Sequence, residues 1–252
     1  MKIIKDIFYT ENANHSQSLD LYLPEGNKGF PVFVYFHGGG IENGSKSGFE
    51  KIAEYFCKRG VAFISAEYRM FPGAKYPEFI EDAASAVAWA WKNIASYGGS
   101  GKVFVGGSSA GGYLSQMLCF DPRWLGAHGI DCTEIAGYLH DAGQPTAHFN
   151  VLKYSGVDSR RVIVDESAPL YHVGTLPKYS PMLIIYSDND MENRPEQTRL
   201  LISTLNHFRY DMDRVEVRVM HGKHCQYVGA LDPDGESLFS RMIYPFIEKY
   251  AK

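Results

Sequence analysis

Apolar positions along this chain of 252 residues fall into two alternating patterns. Short runs that are apolar continuously, or at every second position, are typical of strands, whereas apolar residues three or four positions apart are typical of helices. The first pattern predicts strands over residues 3–10, 18–23, 32–36, 61–66, 103–106, 135–139, 182–186 and 215–220. The second pattern predicts helices over residues 47–59, 78–95, 110–120, 195–207 and 235–250.

Strands and helices alternate over most of this order. Such alternation predicts the α/β class, with a mainly parallel, twisted sheet that is covered by helices on both faces. The first two strands, 3–10 and 18–23, are predicted to be antiparallel, with apolar side chains at alternate positions. Residues 141–180 show little periodicity, so we expect loops and short helices there, over the ends of the strands.

Length and composition fit one soluble globular domain over residues 1–252. Apolar residues make up 45% of the chain and charged residues 21%, which is ordinary for such a domain. A formal net charge of −4, without a cluster of Lys or Arg, argues against a nucleic-acid partner and against an anionic membrane surface. The N-terminus lacks the apolar core of a signal peptide and no stretch reaches transmembrane length, so we expect a cytoplasmic protein.

The cysteines and histidines indicate no metal centre. The four cysteines are too scattered for metal-ligand spacing or for a disulfide framework: Cys57, Cys119, Cys132 and Cys225. The nine histidines form no H-x-x-x-H pair on a predicted helix. We therefore predict no metal and no cofactor.

A glycine-rich segment follows the predicted strand at 103–106. In it, Gly107, Ser109 and Gly111 match the G-x-S-x-G spacing of a nucleophile elbow, a sharp strand-to-helix turn that holds one serine at the bend. The positions two before and two after that serine must lack side-chain bulk, which Ser108 fails because Ala110 occupies its second glycine position. Roughly one chain in five of this composition would show the motif by chance, so its surroundings decide its meaning.

A second glycine motif, His37-Gly38-Gly39-Gly40, closes the predicted strand at 32–36. It is expected by chance on the order of once in a hundred such chains. Backbone N–H groups in a glycine loop can stabilise the oxyanion that forms during acyl transfer. A glycine turn after a core strand would be the simpler interpretation of either motif alone, but the two together in this order favour an acyl-transfer site.

A serine nucleophile needs a base within hydrogen-bond reach and an acid that orients the base. Two late strands end in suitable residues: Asp188 and Asp190 follow the strand at 182–186, and His221 and His224 follow the strand at 215–220. The chain order is then Ser, Asp, His, the order found in hydrolases with a nucleophile elbow.

These motifs resemble those of the α/β-hydrolases, and in particular the HGGG carboxylesterases of the hormone-sensitive-lipase type. The resemblance extends over nearly the whole chain, and it is strongest to the small bacterial acetyl-xylan and feruloyl esterases and to kynurenine formamidase. Further matching segments are Leu19 to Pro24, Glu67-Tyr68-Arg69, Tyr76-Pro77, Asp82 and Ser167 to Tyr171.

The resemblance implies a role for each candidate residue. Ser109 is the nucleophile, and His224 is the base because it follows a Gly-x-His step. Asp190 is the acid because it lies three residues after a small residue that ends the strand, with Asp188 as its rival. The oxyanion donors are the N–H groups of Gly39, Gly40 and Ala110, with Gly38 as a lesser candidate, while His37 shapes the loop.

Three positions depart from the relatives: Ser108 replaces an Asp or His, Ile41 an aromatic residue, and Cys225 a glycine. The given sequence begins almost directly with its first strand, so we expect no N-terminal helical cap. Only residues around 121–178 are expected to form a partial cover over the site. A few of the aromatic and histidine side chains in this segment are expected to line an acyl or aryl pocket.

The expected function is a serine carboxylesterase that acts on small soluble esters, with acetyl or feruloyl esters of plant sugars as candidate substrates. An amide hydrolase of the arylformamidase type is the alternative, because it would use the same triad. A non-catalytic binding protein on this fold is a further alternative, although such proteins typically lose the serine or the histidine. The sequence leaves open the natural substrate and the choice between monomer and homodimer.

Overall fold

The computed structural model describes residues 1–11, 14–26 and 28–252. The strands are β1 (Lys2–Phe8), β2 (Ser18–Leu23), β3 (Phe30–Phe36), β4 (Ala62–Ala66), β5 (Gly99–Ser108), β6 (Gly137–Asp141), β7 (Met182–Ser187) and β8 (Val215–Met220). The α-helices are α1 (Glu50–Lys58), α2 (Glu78–Asn93), α3 (Ala110–Phe120), α4 (Pro122–Gly126), α5 (Phe149–Tyr154), α6 (Pro169–His172), α7 (Arg194–His207) and α8 (Leu238–Tyr250).

All eight strands lie in one sheet, in the order β1-β2-β4-β3-β5-β6-β7-β8. β1 pairs antiparallel with β2, and β2 with β4, whereas every pair from β4 to β8 is parallel. The predicted α/β class and mainly parallel sheet are confirmed. Parallel strands end at the same edge of a sheet, so the loops after β3, β5, β6, β7 and β8 meet there.

The central strands place alternate side chains in two separate cores. On one face, Val32, Val34 and Val105 pack with α2 and α3, and on the other face, Phe33 and Phe104 pack with α1 and α8. All five side chains are fully buried. Burial on both faces is the reason that the strands are continuously apolar in sequence.

Several element bounds differ from the sequence prediction, among them those of β5, β6 and α8. β5 is longer, because Gly99 to Lys102 continue the strand before its apolar part. The strand predicted at 135–139 lies at Gly137–Asp141, where its register with β5 pairs Asp141 with Ser108. The last helix begins at Leu238 instead of residue 235, since the Asp232 carboxylate accepts the N–H groups of Asp234 and Glu236 in a turn.

The segment 141–180 contains loops and the two short helices α5 and α6, as its lack of periodicity predicted. Within residues 1–11, 14–26 and 28–252, no helix is both long and apolar enough to cross a membrane. In the same residues, no three side chains of His, Cys, Asp or Glu are gathered in a way that could hold a metal ion.

Candidate active site

Ser109 lies at a sharp bend between β5 and α3. Its backbone has φ 56° and ψ −112°, a strained conformation for a residue with a side chain. The glycines on either side have no room for a Cβ atom: it would lie 2.5 Å from the carbonyl oxygen of Phe36 at Gly107, and 1.9 Å from it at Gly111. The G-x-S-x-G spacing therefore has a steric cause here, which is the close approach of the bend to the end of β3.

His224 joins Ser109 to Asp190 through two hydrogen bonds. Its Nε2 lies 2.8 Å from the Ser109 Oγ, and its Nδ1 lies 2.5 Å from the Asp190 Oδ1. The Asp190 side chain is fully buried and that of His224 is 22% exposed. With Nδ1–H donating to the carboxylate, Nε2 is free to accept the serine proton, which is the arrangement that nucleophilic catalysis requires.

Asp188 and His221 form a separate pair on the surface. The Asp188 Oδ2 lies 2.6 Å from the His221 Nδ1, and the Asp188 Oδ1 accepts the N–H of Gly222. The His221 side chain is 95% exposed and that of Asp188 44% exposed. Asp190 instead hydrogen-bonds to His224, which reaches Ser109, so of the two rival acids it is Asp190 that the structure brings to the serine.

The surroundings of Asp190 favour its ionised form. Burial by itself would raise the pKa of the Asp190 carboxyl, but the hydrogen bond and charge of His224 act against it. The N–H of Met191 and the charge of Arg194 act in the same direction as His224, so the pKa lies below its ordinary value. A carboxylate that is buried and still ionised is able to stabilise a positively charged imidazole.

The glycine loop after β3 has a geometry suited to an oxyanion. The carbonyl oxygen of Gly39 points into the turn, where it accepts the N–H groups of Glu42 and Asn43. The peptide that joins Gly39 to Gly40 is trans, so the N–H of Gly40 points the opposite way, out of the turn. Ala110 is the first residue of α3, and its N–H has no partner within the helix. Among the residues that the structure describes, none accepts a hydrogen bond from the N–H of Gly39, Gly40 or Ala110.

His37 is a buried support of this loop. Its ring stacks on that of Tyr68 with 4.5 Å between the ring centroids, and the Tyr68 hydroxyl donates to the His37 carbonyl oxygen over 2.8 Å. The His37 Nδ1 lies 2.7 Å from the Gly38 carbonyl oxygen, and its Nε2 lies 3.4 Å from the Glu67 carboxylate. These contacts fix the start of the glycine loop and leave His37 without access to the serine.

The loop is also fastened to α5. The Asn150 side-chain amide donates to the Gly40 carbonyl oxygen over 2.6 Å and to the Glu42 carboxylate over 2.9 Å. The same carboxylate receives the Lys153 ammonium at 2.6 Å and the Tyr154 hydroxyl at 2.9 Å. Asn150 thereby links the glycine loop directly to the segment that was predicted to cover the site.

Sequence reasoning missed Asp141, a fully buried carboxyl group at the end of β6. Its side chain accepts the Ser108 hydroxyl over 2.5 Å and also the Tyr227 hydroxyl, while its backbone oxygen accepts the N–H of Ser109 over 2.8 Å. Burial raises the pKa of Asp141 to about 6. Asp141 thus ties the serine bend to the loop of His224. If the strand had been predicted at 137–141 instead of 135–139, Asp141 would have been recognised as a residue at a strand end.

The cavity beside Ser109 has a volume of about 520 Å³. Its apolar walls are Phe49, Phe149, Met191 and Val228, and its polar walls include Glu42, Asn43 and Asn150. From the predicted cover at 121–178, Phe149 and Asn150 are the described residues that line it. The other aromatic side chains of that segment do not line this cavity: Trp124, Tyr138, Tyr154 and Tyr171.

Cys225 also lines the cavity, directly after His224. Its φ is 51°, in the left-handed region that favours glycine, which accounts physically for the glycine expected at this position. Burial raises the pKa of the Cys225 thiol well above its ordinary value, so the thiol stays protonated and reacts slowly.

The BD-FAE family model matches residues 19–125. The carboxylic ester hydrolase LipN of Mycobacterium tuberculosis is 35% identical over 101 residues, which are 39% of this chain and 27% of LipN. The chain therefore spans little more than a quarter of the length of that curated relative.

Solved structures resemble the chain over almost its whole length. A truncated carbohydrate esterase from gut microbiota has a TM-score of 0.78 at 16% identity, covering 100% of this chain and 96% of its own. An esterase of Thermogutta terrifontis with bound propionate has a TM-score of 0.77 at 20% identity, covering 97% of this chain and 93% of its own. The α/β-hydrolase fold is shown, and the predicted resemblance to carboxylesterases is confirmed.

Proposed function

We propose that this α/β-hydrolase is a serine carboxylesterase with Ser109 as nucleophile, His224 as base and Asp190 as acid. The observation that carries the proposal is the continuous hydrogen-bonded chain from the Ser109 hydroxyl through His224 to the buried Asp190 carboxylate. A histidine beside a carboxylate is common, but one that also reaches a strained serine in the lining of a cavity has a specific chemical use.

In the proposed reaction, the Ser109 oxygen attacks the ester carbonyl carbon while His224 Nε2 takes its proton. The tetrahedral intermediate collapses as His224 donates that proton to the leaving alcohol, which produces an acyl-enzyme. Water, activated by the same nitrogen, then attacks the acyl group and releases the carboxylic acid. Asp190 keeps Nδ1 protonated and stabilises the imidazolium in both steps.

The oxyanion of each intermediate is proposed to lie against the N–H groups of Gly39, Gly40 and Ala110. Removing one such donor commonly lowers turnover on the order of 10²-fold or more. The N-terminus of α3 contributes a partial positive charge at the same place. Since these donors are backbone groups, the geometry of the glycine loop determines how well they act.

Small soluble carboxylic esters are the proposed substrates, and acetyl or feruloyl esters of plant sugars are the finer candidates. A cavity of about 520 Å³ with apolar walls accommodates a short acyl or an aryl group. The propionate-bound esterase and the carbohydrate esterase of the same fold support this size and chemistry. We further propose one domain over residues 1–252, with α5 as the part of the cover that shapes the substrate cavity.

The first test is reaction with a fluorophosphonate probe, which labels a triad-activated serine. We expect the wild type to be labelled and Ser109→Ala to resist labelling, with ester turnover lower by on the order of 10⁴-fold. Ser108→Ala is the matched control one residue away and should keep far more activity. Labelling that persists in Ser109→Ala, or a wild type that neither reacts nor turns over, would refute the proposal.

A substrate panel separates the alternatives. Nitrophenyl esters of increasing acyl length, acetylated xylan, feruloyl esters and formylkynurenine would be compared by kcat/KM. We expect the highest values for acetyl to butyryl esters and a fall toward long chains. A clear preference for formylkynurenine would instead indicate an amide hydrolase of the arylformamidase type.

A further inference from the structure

A second cavity of about 390 Å³ adjoins the one beside Ser109. Phe149 and Met191 line both cavities, so the two share a wall formed by one side chain from α5 and one from the loop after Asp190. The first cavity is largely apolar, whereas the second is lined by charged side chains: Arg160, Arg161, Arg194 and Glu192. Three guanidinium groups against one carboxylate give the second cavity an excess of positive charge.

Arg194 is the unusual member of this set, because it is only 4% exposed. Its guanidinium donates to the Ala142 carbonyl oxygen over 2.7 Å and to the Gln144 side-chain oxygen over 3.1 Å, and both of these acceptors are neutral. It forms no ion pair with any residue in the described part of the chain. Asp190 lies beyond ion-pair distance and is engaged by His224. Buried charges in proteins are normally paired, whereas Arg194 feels the charge of Asp190 without a direct carboxylate partner among the described residues.

The two neighbouring arginines differ from each other. The Arg160 guanidinium is held by the Asp158 carboxylate at 2.6 Å. Arg161 makes no ion pair or side-chain hydrogen bond with the residues described here, and it lines the second cavity together with Arg194. Two arginines without an ion-pair partner among the described residues therefore line one cavity, and a carboxylate is the group that such planar donors bind best.

We infer that the second cavity is an anion subsite of the active site, and that it binds a carboxylate on the acyl or the alcohol part of the substrate. The inference rests on the proposed esterase function. It narrows the substrate class to esters that carry an acid group, such as half-esters of dicarboxylic acids or acylated sugar acids. The ester would lie at Ser109, and the acid group would reach past Phe149 and Met191 to Arg161 and Arg194.

Two matched pairs of chromogenic esters test this inference. On the acyl side, mono-4-nitrophenyl adipate is compared with 4-nitrophenyl hexanoate. On the alcohol side, 3-carboxy-4-nitrophenyl butyrate is compared with 4-nitrophenyl butyrate. Each kcat/KM is divided by the rate constant of hydroxide-catalysed hydrolysis of the same ester. We expect the acidic ester of one pair to be preferred by about tenfold, the usual size of a charge-assisted contact, and we expect added salt to reduce that preference.

Charge variants locate the effect. Arg161→Gln should lower the acidic-to-neutral ratio of kcat/KM about fivefold or more. Arg199→Gln is the matched control, because Arg199 is exposed on α7 and paired with Glu196, so the same charge is lost away from the cavity. In that control the acidic-to-neutral ratio of kcat/KM should equal that of the wild type. Arg194→Lys keeps the buried charge, and it should retain the preference for the acidic ester over the neutral one if charge is what matters there.

The outcomes are distinguishable. A wild type that hydrolyses the neutral esters without preferring either acidic one overturns the subsite and leaves the esterase proposal standing. The subsite is equally overturned if Arg161→Gln and Arg199→Gln change the ratio alike. A wild type that hydrolyses no ester and does not react with fluorophosphonate overturns both proposals together.

Discussion

The loops after β7 and β8 join in two Asp–His pairs of nearly equal length, and these pairs allow a controlled test of the proposed acid. His224 lies 2.5 Å from Asp190, and His221 lies 2.6 Å from Asp188. The first pair contains a fully buried carboxylate and reaches Ser109, whereas the second pair is on the surface. The changes Asp190→Asn and Asp188→Asn remove one charge each, with the same change of volume and only two residues apart.

The expected loss follows from the charge that forms on His224 in the transition state. Two unit charges about 4 Å apart attract by about 4 kcal/mol at an effective dielectric constant of about 20. Loss of that attraction in Asp190→Asn would lower kcat on the order of 10³-fold. The asparagine amide would in addition favour the wrong tautomer of the imidazole. Asp188→Asn should stay within about threefold of the wild type, because exposed pairs contribute little.

The assay is steady-state hydrolysis of 4-nitrophenyl butyrate, with kcat and KM determined separately. The loss in Asp190→Asn should fall on kcat, because the imidazolium exists only after the chemical step has begun. Melting temperatures of both variants show whether each is folded. Equal and small losses in two folded variants would refute the reasoning and indicate that the acid lies elsewhere, and a larger loss in Asp188→Asn would reverse the assignment.

Three further predictions concern the surroundings of the proposed triad. With the pKa of Asp141 raised to about 6, the folded chain holds more protons than the unfolded chain between pH 4 and 6, so the wild type loses stability across that window as pH rises. The melting temperature of Asp141→Asn should therefore rise relative to that of the wild type from pH 4 to pH 7. A difference in melting temperature that stays constant over this range would contradict the prediction. Asn150→Ala should lower kcat by tenfold or more with a smaller change in KM, since Gly40 loses its anchor; a pure KM effect would argue against it. Cys225→Gly should keep the activity and the melting temperature of the wild type, because glycine suits φ 51°. A bulky thiol reagent should slowly inactivate the wild type by displacing His224, and the variant should resist it. Full activity of the wild type after confirmed modification of Cys225 would contradict this prediction.

Much of the site could be predicted from sequence because its chemistry lies at strand ends. Apolar runs locate the ends of β5, β7 and β8, and parallel strands bring those ends together, so Ser109, Asp190 and His224 were candidates for one site. What periodicity alone could not decide is the direction of a side chain in a loop. Asp188 and Asp190 are equivalent in sequence terms, yet one is exposed and the other buried. The choice of Asp190 came from family resemblance.

Asp141 was out of reach for a different physical reason. The limits of β6 are set by its pairing with β5 and β7, which extends the strand to Asp141 and excludes Ile135. The apolar pattern of β6 itself ends earlier, at Leu139. The second cavity was equally hidden, because its arginines come from a loop and from the start of α7, more than thirty residues apart. Residues that only the tertiary structure brings together leave no local pattern in the sequence.

The attachment of the glycine loop to α5 limits how this protein could be redesigned or could diverge. Loops that cover an active site are the usual parts to exchange when a new substrate range is wanted, on the assumption that they act independently of the catalytic groups. Here Asn150 holds the Gly40 peptide, while Lys153 and Tyr154 hold Glu42 in the same loop. An exchanged α5 would therefore alter turnover as well as selectivity. Successful variants should change the α5 residues and Glu42 together, because these side chains contact each other.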